Sequence, residues 1–469
     1  MSPEEINVIH VFNYGTGIVT ALPPHISHPL IDLALPVIEL GGLFGKQSRF
    51  GQLFRRGELF VTVDGVTGQQ REMNSTRFCS WVETIARPFR WEKSKEGEFH
   101  EKYSRMGKDL ASVIMATDSF RAEVRPLRGV HTVCLPVWEK NGGDPLMMLL
   151  APGYHEESGI YTVSEISFDA ELDIDEAKKW LDELLASWPW ASEKAKAVHF
   201  AALLSPFVRL LLSPQSRRLM VIYNANQPGS GKTLLAFMAL VAVYGEPVMA
   251  NADEDPEELR KKLETACIEG KSYFMLDDMK DLRSRAMNML LTAGKVSARV
   301  LGKSETVEVP VEAQIFLTGN QLDVGADLAR RSAVCELFFA GDPLDRTFEK
   351  TITTEGLCEP ATRARLLAVL WAALRSWQAN GLRPSSARPR PSFEKYTELV
   401  GAIVENFGMV NPFGMDAVLV DREGACMVAL LKAAAALVVR NDKGDLEKDF
   451  RPAELLNLAQ GSSGNRVGF

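Results

Sequence analysis

The chain has 469 residues, 46% apolar and 24% charged, an ordinary globular composition that excludes disordered and collagen-like classes. At roughly 100–200 residues per domain it is too long for a single core and predicts about two to four domains. Its formal charge of -8, from 53 basic and 61 acidic side chains, excludes a global attraction to phosphate backbones or anionic lipid, so any nucleic-acid contact has to be local.

Residues 1–45 form an apolar, Pro-rich N-terminal arm whose pattern suggests no role. From 46 to 170 short β-like runs (GELFVTVDG, GVHTVCLPVW, LMMLLAPG) alternate with helical stretches (STRFCSWVETIARPF, GKDLASVIMATDSFRAEV), predicting an α+β domain. From 171 to 215 a helical collar follows: Asp173 and Glu176 make a capping box ahead of Ala177, Trp180, Leu181, Leu184 and Leu185, and a second helix starts at Glu193 and ends near Leu212. Residues 216–345 alternate strand and helix as a parallel α/β sheet does. Residues 346–469 read as a mainly helical subdomain, with one helix closing at Gly381 and another pattern beginning at Phe393. Near its end Pro452 opens a short winged-helix-like stretch.

No apolar run reaches the roughly 18 residues of a membrane span, and the N-terminus lacks signal-peptide character. Cys79, Cys134, Cys267, Cys335, Cys358 and Cys426 form no C-x-x-C pair and no metal-ligand cluster, so they read as reduced thiols of a cytoplasmic protein.

In RLMVIYNANQPGSGKTLLAFMALVAVYG an apolar run leads into a tight Gly-rich turn and an apolar helix, the context of a P-loop. Gly229, Ser230 and Gly231 would bring backbone N–H groups against phosphate oxygens at a helix N-terminus. Lys232 would reach the β/γ-phosphates of ATP, and Thr233 would join a Mg²⁺ shell. The first glycine of the motif is replaced by Asn226, which is expected to keep the turn because Asn tolerates left-handed backbone angles.

Downstream, Tyr273 to Leu276 is an apolar run ending in Asp277 and Asp278, a Walker B pattern. Asp277 would hold Mg²⁺ and Asp278 would orient the attacking water, the bland alternative being two aspartates capping a following helix. The run Ala313 to Leu317 ends in Thr318-Gly319-Asn320. Asn320 would contact both γ-phosphate and water, or merely complete a β-turn. Arg330 and Arg331 precede another strand-like run, where one of them would reach a neighbouring subunit's γ-phosphate, or Arg331 would pair with Asp327 on one helical face.

These five segments, NQPGSGKT, FMLDD, KVSARVLGKS, FLTGN and DLARRS, occur in an order that resembles AAA+ ATPases of the superfamily III helicase type, as in phage and mobile-element primase-helicases and replication ATPases. The resemblance covers about 205–345 and departs at Asn226 and in having Asp rather than Glu at 278. It implies an α/β P-loop NTPase with an AAA+ core. It further implies a homo-hexamer working on single-stranded or forked DNA, with the N-terminal domain open to a protein partner. Between Lys280 and Ser304, Lys280, Arg283, Arg285, Lys295, Arg299 and Lys303 face only Asp281, a local excess of five positive charges. By the resemblance this stretch is a channel hairpin whose Lys295, Arg299 and Lys303 grip a DNA backbone, with Lys303 near the tip; a solvated basic face is the plainer reading. The expected activity is therefore ATP-driven movement on DNA, against an alternative of a nucleotide switch acting as loader, assembly factor or defence-system ATPase. A nucleotide-binding scaffold without turnover is a third possibility, kept open by Asn226.

Overall fold

The computed structural model describes residues 9–13, 19–22, 52–57, 59–103, 105–139, 145–163, 166–213, 215–251, 256–281, 285–299, 306–323, 326–341, 351–414, 439–440 and 446–447. Most of the N-terminal arm, Lys303, Cys426 and nearly all of the winged-helix-like stretch lie outside these residues, and of Arg299 only the backbone is described.

The N-terminal region begins with β1 (Ile9–Asn13), β2 (Val19–Leu22), β3 (Gln52–Arg56), β4 (Leu59–Val63) and β5 (Gln70–Glu72), continues through α1 (Ser75–Ile85), β6 (Ala86–Lys93), β7 (Phe99–Tyr103), α2 (Lys108–Ala116) and α3 (Asp118–Glu123), and forms one antiparallel sheet in the order β2-β1-β6-β7 and a meander β3-β4-β5. Two sequence expectations shift here. The helix read through Phe89 stops at Ile85, because Pro88 lacks a backbone N–H and the chain turns into β6, where Pro88 faces Val11 of β1. The single helix read over 107–124 is two. Thr117 takes an extended conformation, and its hydroxyl accepts the Phe120 N–H at 3.4 Å, capping α3. Leu53, Phe60, Phe78, Val82, Leu110, Ile114 and Phe120 are buried together as this region's core.

Then β8 (Gly129–His131), β9 (Pro136–Glu139), β10 (Leu146–Leu149), β11 (Gly153–His155) and β12 (Ile160–Thr162) lead to the collar, α4 (Ile174–Leu185) and α5 (Glu193–Phe207). The capping residue is the expected one: Asp173 Oδ1 accepts the N–H groups of Asp175 at 2.8 Å and Glu176 at 3.2 Å. Helix α5 ends before Leu212, tightening into a 3₁₀ turn over Arg209–Leu211.

The central elements are β13 (Met220–Ala225), α6 (Lys232–Tyr244), β14 (Met249–Asn251), α7 (Pro256–Ile268), β15 (Tyr273–Asp281), α8 (Arg285–Thr292), β16 (Lys295–Arg299), β17 (Thr306–Pro310), β18 (Gln314–Asp323), α9 (Ala326–Ala329) and β19 (Ser332–Leu337). Five of the strands form a parallel sheet in the order β14-β15-β18-β13-β19. A parallel sheet is apolar on both faces because crossover helices cover both. Accordingly Val221, Tyr223 and Ala225 pack toward α5 and α6, while Met220 and Ile222 pack with Leu276 and Leu317 in the opposite layer. Helices α10 (Thr354–Cys358), α11 (Pro360–Ala379) and α12 (Glu394–Asn406) close over the first layer, and α11 holds α6 by its C-terminus, where Arg363 Nε donates to the Val241 carbonyl at 3.0 Å. Two short pieces, β20 (Val439–Arg440) and β21 (Leu446–Glu447), pair with each other. Among the described residues no helix is long and apolar enough to cross a membrane, and the five described cysteines are all unbridged.

Two buried imidazoles give the fold an acid-sensitive limb. His199 Nδ1 meets the Tyr223 hydroxyl at 3.0 Å inside the α5–β13 layer, and burial lowers its pKa to about 3. Burial, helped by Arg209 and Arg218, also holds His131 well below the ordinary value. In the unfolded chain both titrate near 6.5, so their neutral forms stabilise the fold fully above about pH 6.5, and this is lost as the pH falls toward the folded values. Thermal unfolding is expected to show Tm dropping as the pH is lowered from about 7 to 5, each histidine contributing up to about 1.4 kcal/mol per pH unit. His199→Gln, which keeps a partner for Tyr223, is expected to flatten that slope.

Candidate functional site

In an open parallel sheet, ligands bind beyond the carboxyl ends of the strands where the strand order reverses. Strand β13 is that point: the chain leaves it for β14 at one edge, returns through β15 and β18, and passes β13 to reach β19. The turn from Asn226 to Gly231 lies there, with Gly229 and Gly231 at positive φ (77° and 87°) and Gly231 capping α6. A Cβ on Gly231 would lie 2.8 Å from Trp188 Nε1, which donates to the Gly231 carbonyl at 3.2 Å. Lys232 and Ser230 are buried, and the Ser230 hydroxyl holds the Gln227 carbonyl at 2.6 Å. The structure thus brings Gly229, Ser230, Gly231, Lys232 and Thr233 together at one helix N-terminus.

Asn226 corrects the sequence reading: it is not among the residues with left-handed angles. Its backbone N–H bonds to the Leu337 carbonyl at 3.2 Å, and its side-chain amide pairs with both backbone groups of Phe339, accepting at 3.0 Å and donating at 2.8 Å. Asn stands in the glycine position because its amide continues the strand pairing with the end of β19, which a glycine could not do.

One helix N-terminus and two strands converge on one carboxylate. Asp277 Oδ1 accepts the Thr233 hydroxyl at 2.9 Å and the Thr318 hydroxyl at 2.5 Å. Thr318 also receives the Asp278 N–H at 3.1 Å. The β15–β18 register slips between Leu276 and Met279, so Asp277 and Asp278 form a bulge within a continuing strand rather than a helix cap. Asp278 has φ 55°, a conformation costing about 1–2 kcal/mol for a residue with a Cβ. Asp278 is exposed at this bulge, beside Asp277. The close approach that forms the bulge needs a glycine opposite, since a Cβ on Gly319 would meet the Met279 carbonyl at 2.5 Å.

Asn320 pairs in register with Ala225, so β18 sets it between the P-loop strand and the paired aspartates. Its Oδ1 is buried and has no hydrogen-bond partner, as expected of a polar atom waiting for a ligand. A hydroxyl and a carboxylate beside a glycine-rich turn at a helix N-terminus are hard-oxygen donors of the kind Mg²⁺ takes, so Thr233 and Asp277 fit that ion.

Arg330 and Arg331 lie elsewhere. The Arg331 carbonyl accepts the Met220 N–H, which puts both arginines at the N-terminal edge of the sheet. Six strand residues at about 3.3 Å each separate them from their own P-loop by about 20 Å. Arg330 is exposed and Arg331 half-buried against α8, its Nη1 3.4 Å from the Asn288 carbonyl. The side chain of Asp327 lies outside the described residues. Strands β16 and β17 pair antiparallel with Arg299 opposite Thr306, and residues 300–305, Lys303 among them, lie outside the described residues. Lys295 is exposed and sits at the root, opposite Pro310.

Sequence reasoning missed Thr318 and Trp188. The first was legible only as a hydroxyl residue at a strand end; the second carried no signal, because its contact with Gly231 joins segments far apart in the chain.

No family model and no curated protein matches the chain. Among solved structures it is similar to the apo A form of the NrS-1 C-terminal region, at 14% identity and a TM-score of 0.42 over 88% of this chain and 83% of that one. It is also similar to a ligand-bound JCV helicase (16%, TM-score 0.22, 43% of this chain and 60% of that one) and to SCCmec type IV Cch, an active helicase (12%, TM-score 0.30, 90% and 80%). These are remote likenesses of fold, and the site rests on its own geometry.

Gly231→Ala is expected to destabilise the chain by at least about 1–2 kcal/mol, from the left-handed angle alone, with the indole contact adding to it. Urea unfolding of the single variant and of Gly231→Ala/Trp188→Phe checks this: the second change should recover only the steric part.

Proposed function

We propose that the chain is an ATP-hydrolysing AAA+ motor of the superfamily III helicase type, moving on single-stranded or forked DNA during replication of a phage or mobile element. The observation that carries this reading is the Asp277 carboxylate, held by the P-loop threonine and by Thr318 while Asp278 is presented beside it. In this reading the Gly229 and Gly231 backbone cradles the phosphates and Lys232 neutralises the β/γ-phosphate oxygens. Thr233 and Asp277 would hold Mg²⁺, which when bound would supply charge stabilisation to those phosphates. Asp278 accepts a proton from the attacking water, and the Asn320 amide orients that water against the γ-phosphate.

The position of Arg330 and Arg331 supports assembly. An arginine about 20 Å from its own P-loop acts only on a neighbour's nucleotide, which fits a closed ring such as a homo-hexamer. The β16–β17 pair supports the DNA contact: Lys295 sits at its root and Arg299 at the other end of β16, and with Lys303 four residues further along the sequence, copies around a ring would multiply a modest basic segment into one continuous grip. The N-terminal α+β region is open to a protein partner.

Steady-state ATPase with and without single-stranded DNA tests the proposal. Asp278→Asn tolerates the left-handed backbone and removes only the carboxylate, so it is expected to lower kcat by about 10²–10⁴ while nucleotide binding persists. Lys232→Ala is expected to abolish turnover. DNA stimulation that disappears in Arg299→Ala/Lys303→Ala supports the motor; a DNA-independent rate lost only in Lys232→Ala overturns it and leaves a nucleotide switch.

A further inference from the structure

At the N-terminal edge of the sheet, opposite the P-loop, guanidinium groups outnumber the carboxylate they share. Glu312, between β17 and β18, accepts Arg128 Nε and Nη2 at 3.0 and 2.9 Å through one oxygen and Arg209 Nη2 at 3.3 Å through the other. Arg209, only 2% exposed, also holds the Ser272 hydroxyl at 2.5 Å. Arg218 lies in the same field, where it feels both Glu312 and Arg209, and its Nη1 is sealed from solvent and has no hydrogen-bond partner. Burial and the neighbouring Arg209 lower its pKa to about 10, so it stays charged at neutral pH. Arg56 stands in the same field and also feels Glu269, so four guanidinium groups face two carboxylates. Buried charge is ordinarily paired.

A cavity of about 330 Å³ opens beside this cluster. Arg217, Arg218, Lys295 and Glu312 supply its polar wall, and Phe274 and Leu291 belong to its apolar one. The size is that of a small-ligand site, with an apolar body and a few convergent charges. Lys295 is also the first residue of the hairpin, so the cavity lies at the hairpin's root.

We propose that this cavity is a second ligand site, taking a phosphate-bearing group with an apolar body, that is, one nucleotide unit, supplied either by a single strand passing the hairpin root or by a free nucleotide. The phosphate meets the cationic wall made by Arg217, Arg218 and Lys295, which outnumber Glu312, and the base fills the apolar wall. The site shares no residue with the P-loop and does not depend on hydrolysis.

The test is thermal unfolding of the full chain with the P-loop saturated by ADP and Mg²⁺, adding dTMP in one arm and oligothymidylate in the other. Whether ADP itself shifts Tm is read separately, so failure of the P-loop reading is distinguishable. A rise of several degrees with dTMP identifies a free-nucleotide site; a rise with the oligonucleotide alone identifies a strand site. Ala293→Trp, which fills the cavity and keeps every charge, is expected to abolish the rise. Arg218→Met is expected to abolish it too, while raising the Tm of the ligand-free chain by removing an uncompensated charge. The proposal is overturned if neither ligand shifts Tm, if the shift survives Ala293→Trp, or if Arg218→Met lowers the ligand-free Tm.

Discussion

One carboxylate oxygen, Asp277 Oδ1, fixes the arrangement of the site, because two hydroxyls from separate elements bond to it. Thr233 comes from the first turn of α6 and Thr318 from β18, while Asp277 itself belongs to β15. Those bonds exist only in one register. Tyr223 faces Thr318 and Ala225 faces Asn320 across β13 and β18, and a slip of one residue would turn every side chain of a strand to the other face. The buried His199–Tyr223 contact anchors the same register from the layer beneath.

Strand β18 is the structural link between the two edges of the sheet. At its start the side chain of Gln314 is locked, donating to the Leu219 carbonyl at 2.9 Å and accepting the Ser205 hydroxyl at 2.5 Å. At its far end are Thr318 and Asn320, and just before it come Glu312 and the hairpin. A strand fastened at one end beside a cationic cluster and at the other to the paired aspartates joins the hairpin and the glycine-rich turn through one packed element.

Much of this was legible in the sequence, for a reason that differs from residue to residue. The P-loop, the two aspartates and Asn320 are local patterns, each written as an apolar run followed by its chemistry within a few residues, and the alternation of strand and helix over 216–345 follows from the same periodicity. Asn226 was visible as a departure but misread, because its partner Phe339 lies over a hundred residues away. Separation along the chain likewise hid Trp188 against Gly231, 43 residues apart, and Glu312 against Arg128, 184 apart. The division at Thr117 was hidden for the opposite reason: a hydroxyl that ends one helix and caps the next leaves the apolar spacing almost undisturbed.

The Asn226 clamp has a thermodynamic consequence for the turn that follows it. Fixing a backbone residue costs about 1–2 kcal/mol of conformational entropy at room temperature. Here the amide of Asn226, with Gln227 donating to the Phe339 and Gly341 carbonyls at 2.9 and 2.7 Å, holds the entry to the turn in the ligand-free chain. That ordering is already complete when a ligand arrives, so less of the interaction energy is consumed in arranging the receptor. The replacement of a mobile glycine by a tethered asparagine thus shifts the entropic penalty of binding from the encounter to the folding of the chain.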